Sequence, residues 1–261
     1  MTDAGTNTGG ATARPPLGLA LSSLLRADAT VLLRSKVSAT LSVLLPIVIL
    51  VATTFGKSQS RLGGSTLTIG LALTLGLLTS SMLGYTLAVA HDRETGVLQR
   101  LRAAPVPTWG IMGSRMGIQV AANLAGSIIV VVVGVILHGL ALGAGQFLLV
   151  LVVALLGGVS FLAIGQAVVG LVKSATAVLA VSRLIFIVLI LLGLVGGTGL
   201  LGDTLNTISQ WTPVGALMTL FADVLNQAAW SAQDAWSLVT CVAWTAVCAT
   251  IGIRWFRWES R

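Results

Sequence analysis

Long apolar blocks dominate this sequence, and they restrict its possible folds more than any other feature. A helix needs about 20 predominantly apolar residues to cross the hydrocarbon core of a membrane. Six blocks reach or approach that length: 38–55, 66–90, 116–137, 146–172, 176–198 and 235–253. Charged residues make up only 9% of the 261 residues, well below the roughly one quarter found in soluble domains. The sequence therefore predicts an all-α membrane protein with six transmembrane helices.

Lysine and arginine lie mostly at the ends of alternate blocks. Twelve of the 15 fall before the first block, between the second and third, after the fourth or behind the last. The segment 199–234 has none and contains three aspartates. Because positively charged loops stay in the cytoplasm, we expect a multi-pass protein with both termini cytoplasmic. The net charge of +7 then reflects orientation in the membrane, and we expect no nucleic-acid partner.

The chain before the first block divides into two parts. Residues 1–16 are polar and rich in Gly and Thr, which predicts a disordered cytoplasmic tail. Residues 17–37 place leucines such as Leu24 on one helical face, Arg26 and Arg34 on the other, and Asp28 as the one charge within the apolar face. This pattern predicts an amphipathic helix that contacts lipid in the cytoplasmic interface. An extension of the first span or a chance pattern are the alternatives.

The segment 199–234 fits neither a full span nor a solvated loop. It is too short to cross the membrane and return, and its stretch ISQWTPVGALMTLFADVL is too apolar for a loop in water. Irregular backbone at membrane depth requires burial in protein, and proline restricts the residue before it. We expect two short re-entrant helices in the outer leaflet, broken at Trp211–Pro213.

The segment 91–115 lies between the second and third blocks, on the predicted cytoplasmic side. Val97, Leu98 and Leu101 would share one face of a short helix, with Glu94 in its first turn and Pro105 after its end. Such a helix suits docking into a groove of a soluble partner. A basic loop that merely orients the spans explains the composition equally well, so chemistry alone leaves both possibilities open.

The motif in this segment resembles that of a known family. It contains a Glu, a Gly, two Leu and a Pro at characteristic spacing, namely Glu94, Gly96, Leu98, Leu101 and Pro105. The pattern resembles the E-x-G-T-L-x-x-L…P signature of type-2 ATP-binding-cassette (ABC-2) exporter permeases, with Val97 where Thr is more usual. Thr212 likewise stands where the family often has Asn. The resemblance covers residues 17–257 and identifies 38–257 as a six-span ABC-2 type transmembrane domain.

The resemblance implies a transport function and its partners. Two permease subunits, identical or different, would pair in a bacterial plasma membrane, and each would engage a separate ATPase subunit that binds ATP and Mg²⁺. A cytoplasmic coupling helix would make that contact through Glu94, Gly96, Val97, Leu98, Arg100, Leu101 and Pro105. ATP hydrolysis would drive a hydrophobic or amphipathic substrate outward, such as a drug, an antibiotic, a lipid or a glycoconjugate.

The sequence contains no convincing catalytic or nucleotide site of its own. A phosphate-binding loop needs the pattern G-x-x-x-x-G-K-[ST] between a strand and a helix. The nearest match begins at Gly165 and Gly170, but Lys173 comes two residues late and the context is an apolar span. His91 and His138 are isolated, so no metal cluster is expected. We therefore expect a transport subunit without a cofactor of its own, which is not itself an enzyme.

Three polar residues fall inside predicted spans. Arg183 lies at least seven residues beyond the start of the fifth span and would either line the transport path or extend back to the interface. Asn123 and Gln166 are also path candidates, although such amides more often form interhelical hydrogen bonds. A secondary transporter or channel independent of ATP is the alternative function. It usually needs several ionisable groups at mid-membrane, where this chain offers Arg183.

Overall fold

The computed structural model describes residues 26, 30, 44–52, 64–97, 108–197 and 203–255. Within these ranges every regular element is a helix. The helices are α1 (44–52), α2 (Ser65–Glu94), α3 (Thr108–His138), α4 (Ala144–Leu171), α5 (Ala175–Gly197), α6 (Asp203–Gln210), α7 (Pro213–Leu225) and α8 (Ala232–Trp255). The prediction of an all-α membrane protein is confirmed.

Five of these helices are long and apolar enough to cross a membrane, namely α2, α3, α4, α5 and α8. They correspond to the second to sixth predicted spans, and their ends differ from the predicted ends by at most four residues, except that α3 begins eight residues earlier than predicted. For the first predicted span, the described part is α1, in which Leu50 is fully buried against the core. The rest of 38–55 lies outside the described residues.

Short connections make α3, α4 and α5 run in alternating directions. The chain passes from His138 to Ala144 at one end of the bundle and from Leu171 to Ala175 at the other. We call the second of these the coupling end, because α2 also finishes there, at Glu94. The other is the far end, where α6 and α7 lie between α5 and α8.

Helix α4 lies at the centre of the bundle, where glycines allow close packing. A Cβ on Gly170 would lie 3.2 Å from the carbonyl oxygen of Gly252 in α8, and one on Gly157 would lie 2.9 Å from the side chain of Leu217 in α7. Cys241 and Cys248 of α8 are buried free cysteines. Helix α4 therefore packs closely against both α7 and α8.

The spans differ in the fraction of their residues that is buried inside the bundle. In the most apolar stretch of α2, 78% of the residues are buried, against 22% in α5. The exposed face of α5 is apolar and includes Leu184, Ile187, Val188 and Leu191. Exposed apolar faces of this extent are unfavourable in water, so α5 suits contact with lipid or with another subunit.

Helices α6 and α7 meet at Trp211 and Thr212, where the sequence predicts the break at Trp211–Pro213. Thr212 caps α7, because its hydroxyl accepts a hydrogen bond from the backbone N–H of Gly215 at 3.2 Å and donates one to Ser209 O at 2.6 Å. Pro213 occupies the first position of α7, where a missing N–H costs no helical hydrogen bond. The two short helices expected before the last span are thus present, and their depth in a membrane stays a prediction.

Candidate functional site: the base of the coupling segment

The predicted coupling helix follows directly from α2, which continues to Glu94 and ends in a turn at Thr95–Gly96. The Thr95 N–H donates to His91 O at 3.0 Å, and Gly96 adopts a φ of 69°. Glycine in this left-handed conformation terminates a helix. The placement of Glu94 in the first turn of the coupling helix is therefore wrong, because Glu94 is the exposed last residue of α2.

Arg93, one residue before this end, joins α2 to α4. Its guanidinium donates from Nη1 to Val172 O at 2.8 Å and from Nη2 to Val169 O at 2.7 Å. These carbonyls lie at the C-terminal end of α4, which carries partial negative charge and lacks intrahelical donors. The side chain is only 6% exposed although it is charged. Arg93 therefore caps α4 and fixes the end of α2 against it.

A salt bridge joins the same end of α2 to the start of the third span. Arg115 Nη1 lies 2.5 Å from Asp92 Oδ2, and both side chains are largely shielded from solvent. An ion pair shielded in this way is weakened less by salt than an exposed one. Asp92, Arg93 and Arg115 therefore connect α2, α3 and α4 at the point where the coupling segment leaves and re-enters the bundle. We call these three residues the base.

A second polar contact between α2 and α3 lies deeper in the bundle. From Thr79 to Gly84 the helix α2 widens to a π-helix. Gln119 of α3 donates from Nε2 to Ser80 O at 3.2 Å and to Ser80 Oγ at 3.0 Å. Asn123, one turn further along α3, donates to Ser81 Oγ at 2.6 Å. A π-helical turn disturbs the regular pattern of backbone hydrogen bonds, and Gln119 supplies a donor to one of its carbonyls.

Gln166 has a comparable partner. The hydroxyl of Tyr85 in α2 donates to Oε1 of Gln166 in α4, and both side chains are buried. Thus Asn123 and Gln166 each form an interhelical hydrogen bond. The packing of α2 against α3 and α4 is therefore held by polar contacts from the π-helical stretch to the base.

The described chain is thus a bundle of long apolar helices in which Asp92, Arg93 and Arg115 connect three spans at the end of α2. A family model described as ABC-2 family transporter protein matches residues 52–254. This chain belongs to the ABC-2 transporter family. No curated protein gives a significant match. Members of the family are membrane transport components that generally work with an ATP-binding subunit and are generally not catalytic themselves.

The structure describes only the first residues of the ABC-2 motif, 94–97. Val97 is helical and half-buried just beyond Gly96, whereas Leu98, Arg100, Leu101 and Pro105 lie outside the described residues. In the predicted interfacial helix, Arg26 is helical and exposed, and its carbonyl accepts a hydrogen bond from the hydroxyl of Thr30 at 2.7 Å. Leu24, Asp28 and Arg34 also lie outside the described residues. The coupling and interfacial roles of these residues stay predictions.

Arg183 and Trp211, which the sequence also singles out, lie away from the base. Arg183 is exposed on α5, eight residues from its start and so roughly 12 Å along the helix axis. It shares the exposed apolar face with Leu184 and Ile187. Trp211 is exposed at the far end, and its ring lies 6.2 Å from that of Trp236, measured between centroids. The role of Arg183 on the transport path stays a prediction.

Asp92, Arg93 and Arg115, the three residues of the base, are the site residues that the sequence-based interpretation missed. That interpretation ended the span at residue 90 and treated Arg93 as one of several loop cations. The missed signal is the four-residue spacing of Tyr85, Val89 and Arg93, all of which are buried on one face of α2. Continuing the helical period past residue 90 would have placed Arg93 on that face.

Proposed function

We propose that this chain is the transmembrane subunit of an ATP-driven exporter and that a separate ATPase subunit docks on residues 94–105. Two such permease subunits, identical or different, would form the transport unit in a bacterial plasma membrane. The substrate would be hydrophobic or amphipathic and would move outward. Membership of the ABC-2 family supports the transport role, and the resemblance of 94–105 to the coupling motif supports the docking site.

The base is the observation that carries this proposal. A docking segment transmits force only if its ends are fixed to the spans that must move. Here the end of α2 is bonded to α4 through Arg93 and to α3 through Asp92 and Arg115. A displacement of the segment by an ATPase would therefore reach three spans together.

Charge supports the orientation that this function requires. The described ends of the spans at the coupling end carry Arg93, Arg115, Lys173 and Arg254. The described side chains of α7 and α8 at the far end include Asp223 and Asp234. Because basic residues favour the cytoplasmic side, the coupling end would face the cytoplasm, where ATP is available to an ATPase subunit.

Cysteine labelling tests this orientation. Single cysteines at Gly64, Gly199 and Ser231 are expected to react with a membrane-impermeant thiol reagent in intact cells, and a cysteine at Gln99 only after the membrane is opened. Cys241 and Cys248 are buried, so the unmodified chain provides the background. Labelling at Gln99 in intact cells would overturn the orientation and the proposed docking side together.

Assembly with the ATPase tests the docking role. Replacing Leu101 with aspartate would place an unpaired charge in the apolar groove of the partner, and we expect affinity to fall by about tenfold, or about 1.4 kcal/mol. The measurement is co-purification of the co-expressed ATPase at matched amounts of the membrane chain. Leu101→Met keeps an apolar side chain of similar size and is the control. Equal recovery of the ATPase with Leu101→Asp would remove the docking role of this helix.

A further inference from the structure

A cleft at the far end of the bundle combines apolar walls with one carboxyl group. Its volume is about 190 Å³, and it lies between α2, α6 and α7. Leu67, Met218 and Ala222 form the apolar side, and Ser209, Gln210, Thr219 and Asp223 supply the polar groups. Asp223 is the one charged residue among the lining residues, so the cleft favours a positively charged ligand.

A second carboxyl group increases this preference. Asp234, at the start of α8, is only 2% exposed and lies close enough to Asp223 to raise the pKa of that carboxyl. Its Oδ2 accepts hydrogen bonds from the backbone N–H and the hydroxyl of Ser231, at 2.8 and 2.9 Å. Its Oδ1 is buried and receives no hydrogen bond from a described donor. Two neighbouring ionised carboxylates repel each other, so the pair favours either a proton on Asp223 or a cation nearby.

The chemistry of the cleft favours an organic cation over a metal ion. Calcium takes six to eight oxygen ligands and magnesium six, with close to octahedral geometry. The described residues contain no cluster of three or more His, Cys, Asp or Glu that could hold a metal. A substituted ammonium group instead needs one carboxylate and an apolar surface for its alkyl substituents. The volume of the cleft equals that of roughly six water molecules, which suits such a group and a short piece of its chain.

We propose that this cleft binds the substituted ammonium group of an amphipathic molecule, either a soluble cation or a lipid head group. Binding at the cleft does not depend on the proposed function. If the chain is an exporter subunit, this inference makes ammonium-bearing amphiphiles its substrate class. The cleft lies at the far end of α2, roughly 40 Å along that helix from Arg93. In the proposed orientation this is the side on which an exported molecule leaves.

Protonation of Asp223 competes with the ligand. Burial, followed by the neighbouring carboxyl of Asp234, raises the pKa of this carboxyl to about 6. Among the described side chains of the helices packed against α7, namely α2, α4, α5, α6 and α8, Asp234 is the one charged group at this end. Asp223 is ionised above its pKa and neutral below it. Binding should therefore weaken about tenfold between pH 7.5 and pH 5.

Calorimetric titration of the purified full-length chain with hexyltrimethylammonium tests the proposal without any ATPase. Asp223→Asn is expected to lower affinity about tenfold, because it removes the Coulomb attraction between the carboxylate and the quaternary ammonium. Asp223→Glu, which keeps the charge, should stay within about threefold of the unmodified chain, the effect expected of a retained charge with shifted geometry. Hexyldimethylamine oxide has the same hexyl group but no net charge. It should bind the unmodified protein and Asp223→Asn equally weakly, with the affinity that hexyltrimethylammonium has for Asp223→Asn.

The outcomes separate this inference from the proposed function. Three results would each overturn the site. Hexyltrimethylammonium could bind Asp223→Asn as tightly as the unmodified protein, the amine oxide could bind the unmodified protein as tightly as the ammonium does, or equimolar calcium could displace the ammonium. A preference for dihexanoylphosphatidylcholine over hexyltrimethylammonium would assign a lipid head group, and the reverse would assign a soluble cation. Failure of ATPase co-purification would remove the exporter proposal and leave the titration result unchanged.

Discussion

Replacing Arg93 with methionine is expected to lower ATP-driven export by about tenfold, within the range of coupling energies between distant sites. Methionine matches the length of the aliphatic stem but donates nothing to Val169 O and Val172 O, which now receive hydrogen bonds of 2.7 and 2.8 Å. Hydrogen bonds from a charged donor contribute about 1.5–3 kcal/mol each, so we expect a stability loss of about 3 kcal/mol. The end of α2 would then move without α4.

The measurement is ATP-driven accumulation of substrate inside inverted vesicles at matched membrane abundance, together with ATPase co-purification. We expect the ATPase to remain bound, since residues 94–105 are unchanged. Arg93→Lys should be intermediate, because an ammonium is a point charge without the planar fork that contacts both carbonyls. Arg254→Met removes an exposed arginine at the same end and is the control for net charge. Normal export and normal stability of Arg93→Met would show that the base does not transmit movement.

Replacing Gly215 with alanine is expected to destabilise the protein by about 3 kcal/mol, the upper part of the range for overpacking a filled core. A Cβ on Gly215 would lie 2.2 Å from the carbonyl oxygen of Ser209 and 2.6 Å from its carbonyl carbon. Those are backbone atoms and cannot rotate away. The same residue donates the N–H that Thr212 accepts as the cap of α7, so a shift to relieve the overlap would weaken the junction of α6 and α7.

Thermal unfolding in detergent measures this effect, and we expect the Tm to fall by roughly 8 °C. Gly145→Ala is the matched control, because no heavy atom lies within 4 Å of a Cβ at this exposed position near the start of α4. An unchanged Tm for Gly215→Ala would mean that α6 and α7 pack less tightly than the structure shows. A similar loss in both variants would point to the general cost of the substitution.

Patterns that repeat along the chain were predictable from the sequence. Apolar length placed five spans close to their observed ends, and Pro213 placed the break between α6 and α7. Both depend on local properties: apolar length on the thickness of a bilayer, and the break on the proline ring and the missing N–H. The preference of Asn123 and Gln166 for interhelical hydrogen bonds follows similarly from the cost of an unpaired amide in an apolar interior.

The base was not predictable, because it depends on which helices are neighbours. Arg93 bonds to carbonyls 76 and 79 residues later in the chain, and backbone carbonyls leave no trace in the sequence. The partner of Asp92 could be guessed among the cations of the loop only if α2 and α3 were known to be adjacent. The cleft beside Asp223 has the same origin, since its walls come from three helices.

The π-helical stretch of α2 sets the rotational phase between the two halves of that helix. A π-helical turn holds one residue more than the α-helical turn it replaces, so Thr79–Gly84 acts as a one-residue insertion. If the same residues formed a regular α-helix, Tyr85–Glu94 would rotate by about 100° relative to the first half. Arg93 and Asp92 would then turn away from α4 and Arg115. Deleting one residue from the stretch would instead restore a regular α-helix and keep the second half in its present orientation. An alignment with an ABC-2 chain that has no π-helical turn here therefore needs a one-residue gap at this point to pair buried positions with buried ones.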